Sequence, residues 1–328
     1  MSSNNYEPRI VAFLCRWCAY AGADTAGVMR LEYPPNIVPI RVPCSGRVDP
    51  IFIIHALVSG ADGVLVGACH PGDCHYIEGN MKAKKRISFL KSILEPLGLS
   101  NRVRMEYVSA TEGARFREVV SDFVSELKKM GANPLKTLNT FELIKKIEKY
   151  LNHEDKYTKR KAFCDVLREL IRLLGAEIDP NKEYKIDEDI IPEGFGFPSF
   201  DTEKCLGCGA CANICPQNVI KVIDANGKRI IARFSCYCMV CKECADACPQ
   251  NAIMIESGFD LKAFLVNEPT PGIEHMLRKC KICGRYFIPT KEIEHVSDKF
   301  PFDFLDICPE CRMKHNAELV INYATPVI

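Results

Sequence analysis

The 328-residue chain has no excess of charge of either sign: 43 lysines and arginines stand against 42 aspartates and glutamates. A protein that grips nucleic acid through a general basic field is therefore not expected. It has no apolar run of roughly 18 or more residues, so no membrane-spanning helix is expected. Its opening, Met-Ser-Ser-Asn-Asn-Tyr-Glu-Pro, has no basic stretch leading into an apolar run, and no secretory leader is read there. Glycine loops that cradle phosphate are also missing. After the first strand-like run stands Cys15-Arg16-Trp17-Cys18 rather than G-x-G-x-x-G, and no G-x-x-x-x-G-K followed by Ser or Thr occurs. This argues against a nicotinamide or flavin bound in the usual manner of an open sheet. No nucleophile paired with a base stands out, so a non-catalytic role is expected.

What the chain does have is sulfur: 19 cysteines, an odd number, most of them two to four residues apart. Such close pairs are poor disulfide geometry and good metal geometry. Without a leader, the reading is a reduced, metal-loaded cytoplasmic protein rather than a secreted disulfide scaffold. The cysteines fall into three groups, Cys15 to Cys74, Cys205 to Cys248 and Cys280 to Cys311, with Cys164 alone between the first two.

The segment 1–130 alternates between strand-like runs (9–14, 37–42, 63–67 and 103–108) and helical patterns (49–60, 79–97 and 111–130). Alternation of this kind implies a small four-stranded parallel sheet, flavodoxin- or Rossmann-like, with crossover helices. Ligands of such sheets gather outside the carboxyl ends of the strands. Cys15, Cys44 and Cys69 each end or follow a strand there. Cys18 lies a helical turn beyond Cys15, and Cys74 closes the loop Cys69-His70-Pro71-Gly72-Asp73-Cys74. Five thiols on one rim suit a 2Fe–2S cluster, which needs four. Buried core thiols, a zinc site and a thiol–disulfide pair at Cys15 and Cys18 are the other readings. His70 and His75 do not have the spacing of a Rieske centre, which favours all-thiolate ligation, with both histidines hydrogen-bonding nearby and Trp17 packing over the site.

The motifs Phe-Leu-Cys-Arg-Trp-Cys-Ala-Tyr-Ala-Gly-Ala-Asp-Thr-Ala-Gly, Arg-Val-Pro-Cys-Ser-Gly-Arg, Gly-Ala-Asp-Gly-Val-Leu-Val-Gly-Ala-Cys-His-Pro-Gly-Asp-Cys-His-Tyr and Gly-Asn-Met-Lys-Ala-Lys-Lys-Arg follow one another in this segment. Together they resemble the delta subunit of the methyl-viologen-reducing nickel–iron hydrogenase, which joins a hydrogenase to heterodisulfide reductase in methanogenesis. The resemblance covers the segment 1–130. It implies a 2Fe–2S cluster on four of Cys15, Cys18, Cys44, Cys69 and Cys74. Strand-end placement favours Cys15, Cys44 and Cys69, with Cys18 or Cys74 as the fourth.

The segment 131–197 reads as a connector, with helix-like spacing over 135–151 and 159–174, a lysine-rich solvated face, Cys164 as a core thiol, and a Pro- and Gly-containing linker over 187–198. Within 198–258 lies the strongest signal. Cys205-x2-Cys208-x2-Cys211-x3-Cys215-Pro216 recurs at a constant offset as Cys238-x2-Cys241-x2-Cys244-x3-Cys248-Pro249, with matching tails Cys-Pro-Gln-Asn-Val-Ile and Cys-Pro-Gln-Asn-Ala-Ile. This duplication resembles the bacterial two-cluster ferredoxin, an α+β domain. In that pattern the last cysteine of each run serves the other cluster. One 4Fe–4S cluster then takes Cys205, Cys208, Cys211 and Cys248, and the other takes Cys238, Cys241, Cys244 and Cys215. Cys236 is surplus.

The segment 259–328 carries Cys280-x2-Cys283-Gly284 and Cys308-Pro309-x-Cys311, two pairs that suit a zinc-ribbon-like four-sulfur site. A rubredoxin-like single iron is the rival; Arg312 and the short gap between the pairs favour zinc. His295 and His315 are spare ligand candidates.

The whole reads as an electron wire: a 2Fe–2S and two 4Fe–4S clusters in one subunit of a hetero-oligomer, with neither nucleic acid nor membrane as a partner. The resemblance implies electrons from a hydrogenase or formate dehydrogenase, delivered to the flavoprotein subunit of a heterodisulfide reductase whose flavin bifurcates them. The other readings are a ferredoxin-fed thiol/disulfide oxidoreductase using Cys15 and Cys18, and a redox-sensing interaction protein. A basic group, Lys82, Lys84, Lys85 and Arg86, follows the Cys74 loop as a docking patch or a solvated helix face.

Overall fold

The computed structural model describes residues 6–152, 156–298 and 303–324. The chain forms two compact units, 1–193 and 194–328. Among the described residues no helix is long and apolar enough to cross a membrane.

The first unit runs β1 (Ile10–Cys15), α1 (Ala19–Val28), β2 (Ile37–Val42), α2 (Pro50–Val58), β3 (Gly63–Ala68), α3 (Gly79–Leu94), β4 (Val103–Tyr107) and α4 (Gly113–Met130). All four strands are parallel, in the order β2-β1-β3-β4. β3, Gly-Val-Leu-Val-Gly-Ala, is buried along its whole length, as an inner strand of a parallel sheet must be. β2 carries Pro39 and is mostly exposed, which an edge strand tolerates. On one face Ile10, Ala12 and Leu14 of β1 pack with Ala19 and Ala26 of α1 and with Phe116, Val120, Phe123 and Leu127 of α4. The apolar stripe of α4, at helical period, thus faces the sheet as its sequence predicts.

No apolar stripe announces α1, whose buried face is Ala19, Gly22 and Ala26. Small residues are what close approach requires here. A Cβ at Gly67 would stand 2.6 Å from the Cβ of Ala19, and one at Gly22 would stand 2.7 Å from the Ser109 carbonyl oxygen.

The connector belongs to this unit. Its helices α5 (Phe141–Asn152) and α6 (Lys156–Leu174) pack on each other, and α5 packs on α2. The Tyr150 hydroxyl donates to Asp49 at 2.8 Å, and Cys164 is buried as expected of a core thiol. At the amino ends of the strands, away from the thiols, Asp62 acts as a hub. Its fully buried carboxylate accepts from the Arg9 N–H (2.8 Å), the Asn133 N–H (3.0 Å) and Lys136 Nζ (2.6 Å). Arg102 completes the knot by donating to the carbonyls of Asp62, Gly131 and Ala132.

The second unit begins inside the expected linker. Its first strand, β5 (Gly196–Phe200), forms because it pairs antiparallel with β8 (Ile253–Ser257), a partner that lies 55 residues away and so leaves no local signal. Between them come α7 (Ala210–Ile214), the hairpin β6 (Ile220–Ala225) and β7 (Lys228–Arg233), and α8 (Glu243–Asp246). The hairpin turns on Asn226 and Gly227, both at positive φ, as a two-residue turn requires. α9 (Leu261–Val266), capped by Asp260, leads to β9 (Thr270–Lys279), β10 (Tyr286–Pro289), α10 (Thr290–Ser297) and α11 (Pro309–Ala324). β9 pairs with β7, so β10-β9-β7-β6 is one antiparallel sheet.

Replacing Asp62 with Ala removes the acceptor for two backbone N–H groups and a lysine, and a loss of about 3 kcal/mol is expected in denaturant unfolding. The hydrogen bonds that hold Asp62 charged outweigh its burial, which acts the other way, and depress its folded pKa. Its contribution is therefore complete above the unfolded value of about 3.9 and fades below it. The stability gap between wild type and Asp62→Asn is expected to narrow as pH falls through that range.

Candidate metal centres

Strand order places the first thiol group. The chain lays β2 on one side of β1 and then crosses to lay β3 on the other, so the carboxyl ends of β1 and β3 flank the switch point where open sheets bind ligands. Cys15 ends β1 and Cys69 follows β3, and their Sγ atoms stand 3.6 Å apart. Cys18 joins them: the three sulfurs lie within 4.8 Å of one another. Cys44 and Cys74 form a second pair beside Gly79, where α3 begins. A Cβ there would stand 2.5 Å from the Cys44 sulfur and 3.4 Å from the Cys74 sulfur. All five expected thiols are thus on one rim, as a trio and a pair.

The rim is braced by the two expected histidines and by Asn80 and Glu112, which the sequence reading does not single out. Asn80 is fully buried and donates to the carbonyls of Cys69 (3.0 Å) and His70 (2.8 Å). His70 Nε2 meets Glu112 at 2.8 Å, and Glu112 also accepts from the Ser109 N–H, which with His70 holds its carboxyl down to about 2. The His75 ring stacks on Trp17 with centroids 3.9 Å apart, under the Arg16 guanidinium. Both histidines therefore have hydrogen-bonding or stacking roles beside the thiols. Arg86 donates to the Gly46 carbonyl in the turn after Cys44, and Lys82 pairs with Glu78. Of the basic group, Lys84 and Lys85 make no ion pair among the described residues.

Burial pushes the Cys18, Cys44 and Cys69 thiols up. Cys74 behaves differently: burial acts to raise it, but the N–H groups of Asn80, Tyr76 and Gly79 together hold it below the ordinary thiol value. Crowded thiols that burial keeps protonated shed their protons to a metal. The donor set therefore fits an iron–sulfur group.

In the second unit the duplicated sequence becomes duplicated geometry. Gly207 and Gly209 of the first run have φ of +80° and +79°; Val240 and Lys242, at the equivalent positions of the second run, have +57° and +68°. A valine in the left-handed region is strained, and it persists only where its surroundings hold it there. Each run ends alike: Val219 N–H donates to Cys215 Sγ and Ala252 N–H to Cys248 Sγ, both at 3.3 Å, beside left-handed Asn218 and Asn251. Two cavities lie between the runs. One is lined by Cys215, Cys238, Cys241 and Cys244 with Pro198, Val219 and Ile255. The other is lined by Cys205, Cys208, Cys211 and Cys248 with Phe200, Ile231 and Ile253. Burial raises Cys205, and pushes Cys211 up to about 12 and Cys244 up to about 11. These thiol-lined, apolar-walled cavities fit four-iron groups. Cys236 is buried in the turn before Cys238.

The third group is tighter. Cys280 and Cys283 sit on the β9–β10 turn and Cys308 and Cys311 at the start of α11, all four sulfurs within 4.8 Å of one another. Cys283 and Cys308 are 3.8 Å apart. Arg285 and the Cys308 N–H point at sulfur, the latter at 3.3 Å from Cys280. Burial would raise Cys280, yet the N–H groups of Cys283, Cys308 and Ile282 bring it down to about 6. His295 is engaged elsewhere, 3.3 Å from Gln250, and the side chain of His315 lies outside the described ones.

Residues 10–131 match the family described as methyl-viologen-reducing hydrogenase, delta subunit. The iron-sulfur subunit of the F420-non-reducing vhc hydrogenase of Methanococcus voltae is 51% identical over 135 residues, which are 41% of this chain and 94% of that one. Its counterpart from Archaeoglobus profundus is 52% identical over 130 residues, 39% of this chain and 95% of that protein. This chain belongs to the delta-subunit family of the methyl-viologen-reducing hydrogenase. The matched segment is the parallel sheet with its helices, the delta-subunit domain. Residues 198–221, which hold the first cysteine run, match a 4Fe-4S binding domain. The delta-subunit domain also resembles part of a longer protein. A component of the ferredoxin/F420H2-dependent CoB-CoM heterodisulfide reductase of Methanosarcina acetivorans is 51% identical over 125 residues, 38% of this chain but 16% of that one.

The Cβ of Gly79→Ala would overlap the Cys44 sulfur. This variant is expected to fold, as read by circular dichroism, but to lose the metal of the delta-subunit domain while the second unit keeps its iron. Iron retained in that domain would show that Cys44 is not a ligand.

Proposed function

We propose that this chain is an iron–sulfur electron-transfer component of a hydrogenase–heterodisulfide reductase type of complex. The observation that carries the reading is the gathering of thirteen cysteines into three thiol-lined centres, one in the delta-subunit domain and two in the duplicated unit. A protein that holds several such centres moves single electrons between partners. In this reading the delta-subunit domain binds a 2Fe–2S cluster. Each iron of such a cluster takes two thiolates. The pairing of Cys44 with Cys74 beside Gly79 supports their sharing one iron, with two of Cys15, Cys18 and Cys69 on the other. The grouping of thiols around the two cavities supports two 4Fe–4S clusters with crossed fourth ligands, Cys248 and Cys215, in a two-cluster ferredoxin domain.

The partner reading rests on the relatives. A delta-subunit-like segment exists both as separate hydrogenase subunits and within a larger heterodisulfide reductase protein. A domain found free in one setting and fused in another supports docking between the two. Electrons then enter from a hydrogenase or formate dehydrogenase and leave to the flavoprotein of a heterodisulfide reductase, which holds the bifurcating flavin. The first centre is well placed for transfer between chains. Trp17, Tyr76, Ile77 and Met81 are all more than two-fifths exposed around it, and Lys84 and Lys85 follow on α3. A thiol–disulfide role for Cys18 would call for a depressed thiol pKa, whereas burial pushes that thiol up.

Purified without air, the chain is expected to hold about ten irons. Cys44→Ser and Cys74→Ser should each abolish the 2Fe–2S spectrum, while one of the single serine variants at Cys15, Cys18 and Cys69 retains it. Cys215→Ser should alter the paramagnetic signal of the Cys238–Cys241–Cys244 centre and spare the other. Within the assembled complex, Cys44→Ser should stop electron flow from donor to flavin; flow at the normal rate would make the delta-subunit centre a side branch. Only about four irons in the wild type would sink the three-cluster wire.

A further inference from the structure

We propose that Cys280, Cys283, Cys308 and Cys311 hold one zinc ion, and that this ion pins the wall on which the first ferredoxin cluster, that of Cys205, Cys208, Cys211 and Cys248, rests. Only the second half of this proposal depends on the iron–sulfur reading.

The site is sized for a single ion. With zinc–sulfur bonds of about 2.3 Å, the edges of a four-sulfur tetrahedron are about 3.8 Å. Cys283 and Cys308 stand 3.8 Å apart, and every pair of the four lies within 4.8 Å. Among the described residues the ferredoxin cysteines form no such group of three or more within 4.8 Å; they stand further apart around their cavities. Two of the four, Cys280 and Cys308, are almost fully buried, so four thiolates here require a cation. Charge on the thiolates is shared with the Arg285 guanidinium, the Cys308 N–H and the first turn of α11. Zinc, a thiol-seeking ion without redox chemistry, suits a site whose work is to close a loop.

The loop it closes is the cluster wall. Between Cys283 and Cys308 the chain makes β10 and α10, and these meet both ends of the first cluster's ligand set. Lys291 Nζ donates to the carbonyls of Thr202, at 3.1 Å, and Glu203, just before Cys205. Pro289 and His275 are packed so close over Gly207, between Cys205 and Cys208, that a Cβ there would meet them at 2.9 and 2.8 Å. His295 meets Gln250, just past Cys248, at 3.3 Å. Tying Cys283 to Cys308 through a metal removes the freedom of this segment to swing away. Arg278 and Lys281, both bound to Asp306, hold the two thiol pairs in register. The side chains of His275, Pro289, Lys291 and His295 back the loops that carry the first centre's ligands; of the residues they meet, Gln250 lines that centre's cavity, and none lines the cavity of Cys215, Cys238, Cys241 and Cys244.

The test is metal analysis and paramagnetic resonance of the full chain, purified without air, as wild type and as the double variant Cys283→Ser, Cys311→Ser. The wild type is expected to carry one zinc. The variant is expected to lose it, to lose about four irons, and to lose the magnetic coupling between the two reduced four-iron centres, while the 2Fe–2S signal persists. Two further arms cover a variant that fails to fold. Zinc drawn from folded wild type by a chelator should speed iron release from one four-iron centre several-fold. Lys291→Met with His295→Ala should do the same with zinc retained. A mononuclear iron with its visible charge-transfer bands in place of zinc overturns the metal assignment. Loss of zinc that leaves both four-iron centres equally stable overturns the wall. Zinc without any four-iron centre in the wild type overturns the iron–sulfur reading and the wall together, and leaves the zinc site standing.

Discussion

Sulfur buried in apolar walls is the constraint on which both units are built. A thiol in such a wall keeps its proton, and burial pushes Cys211 up to about 12 and Cys244 up to about 11. Crowding several thiols in one wall makes simultaneous ionisation worse, because each thiolate repels the next. A metal reverses this sign: it takes the charge, and neighbours that repelled become ligands. The backbone around the sulfurs is arranged for the ionised state, with N–H groups aimed at Cys74, Cys215, Cys248 and Cys280. These donors are fixed by turns, so they cost no rearrangement when the charge arrives.

Two different scaffolds meet this constraint. In the delta-subunit domain a parallel sheet brings Cys15 and Cys69, far apart in sequence, to a 3.6 Å sulfur contact, because β1 and β3 are neighbours and end on the same rim. The helices leave room through small residues: Gly67 under Ala19, and Gly79 beside Cys44. In the second unit the thiols lie on loops and at the starts of helices rather than on strand ends, and the loops themselves curl. The first run uses glycine at its two left-handed positions. The second uses Val240 and Lys242, and so stores strain of about 1–3 kcal/mol at a residue such as valine. That strain is tolerable only where the surroundings fix the loop.

Joining the halves of the second unit is a sheet that runs from the hairpin β6–β7, between the two cysteine runs, through β9 to β10. The C-terminal thiol turn therefore extends the sheet of the duplicated cysteine runs rather than being an appendage. Its second thiol pair opens a helix, not a second hairpin, so the unit differs in detail from two facing turns. The single ion proposed there and the cluster beside it share β9, β10 and α10, which is why loss of one would be felt by the other.

Much of this was legible in the sequence, for physical reasons that can be named. Strands and helices of the delta-subunit domain follow from apolar period, and the duplicated cysteine runs follow from a constant offset that no core packing would produce. The family followed from ordered motifs around Cys15, Cys44 and Cys69. Tertiary structure alone decided the rest. α1 has no apolar stripe because its burial depends on close approach rather than on side-chain bulk. β5 looks like linker because its partner is β8, far along the chain. Gly79 and Asn80 open a family motif and Glu112 stands in none, but the roles of all three arise from what folding sets beside them. The division of five thiols into a trio and a pair, and the contacts of Pro289, Lys291 and His295 with the residues around the Cys205 run, are matters of which segments folding brings together. Sequence spacing fixes which residues can reach a metal within one turn; only the packed chain fixes which turns share it.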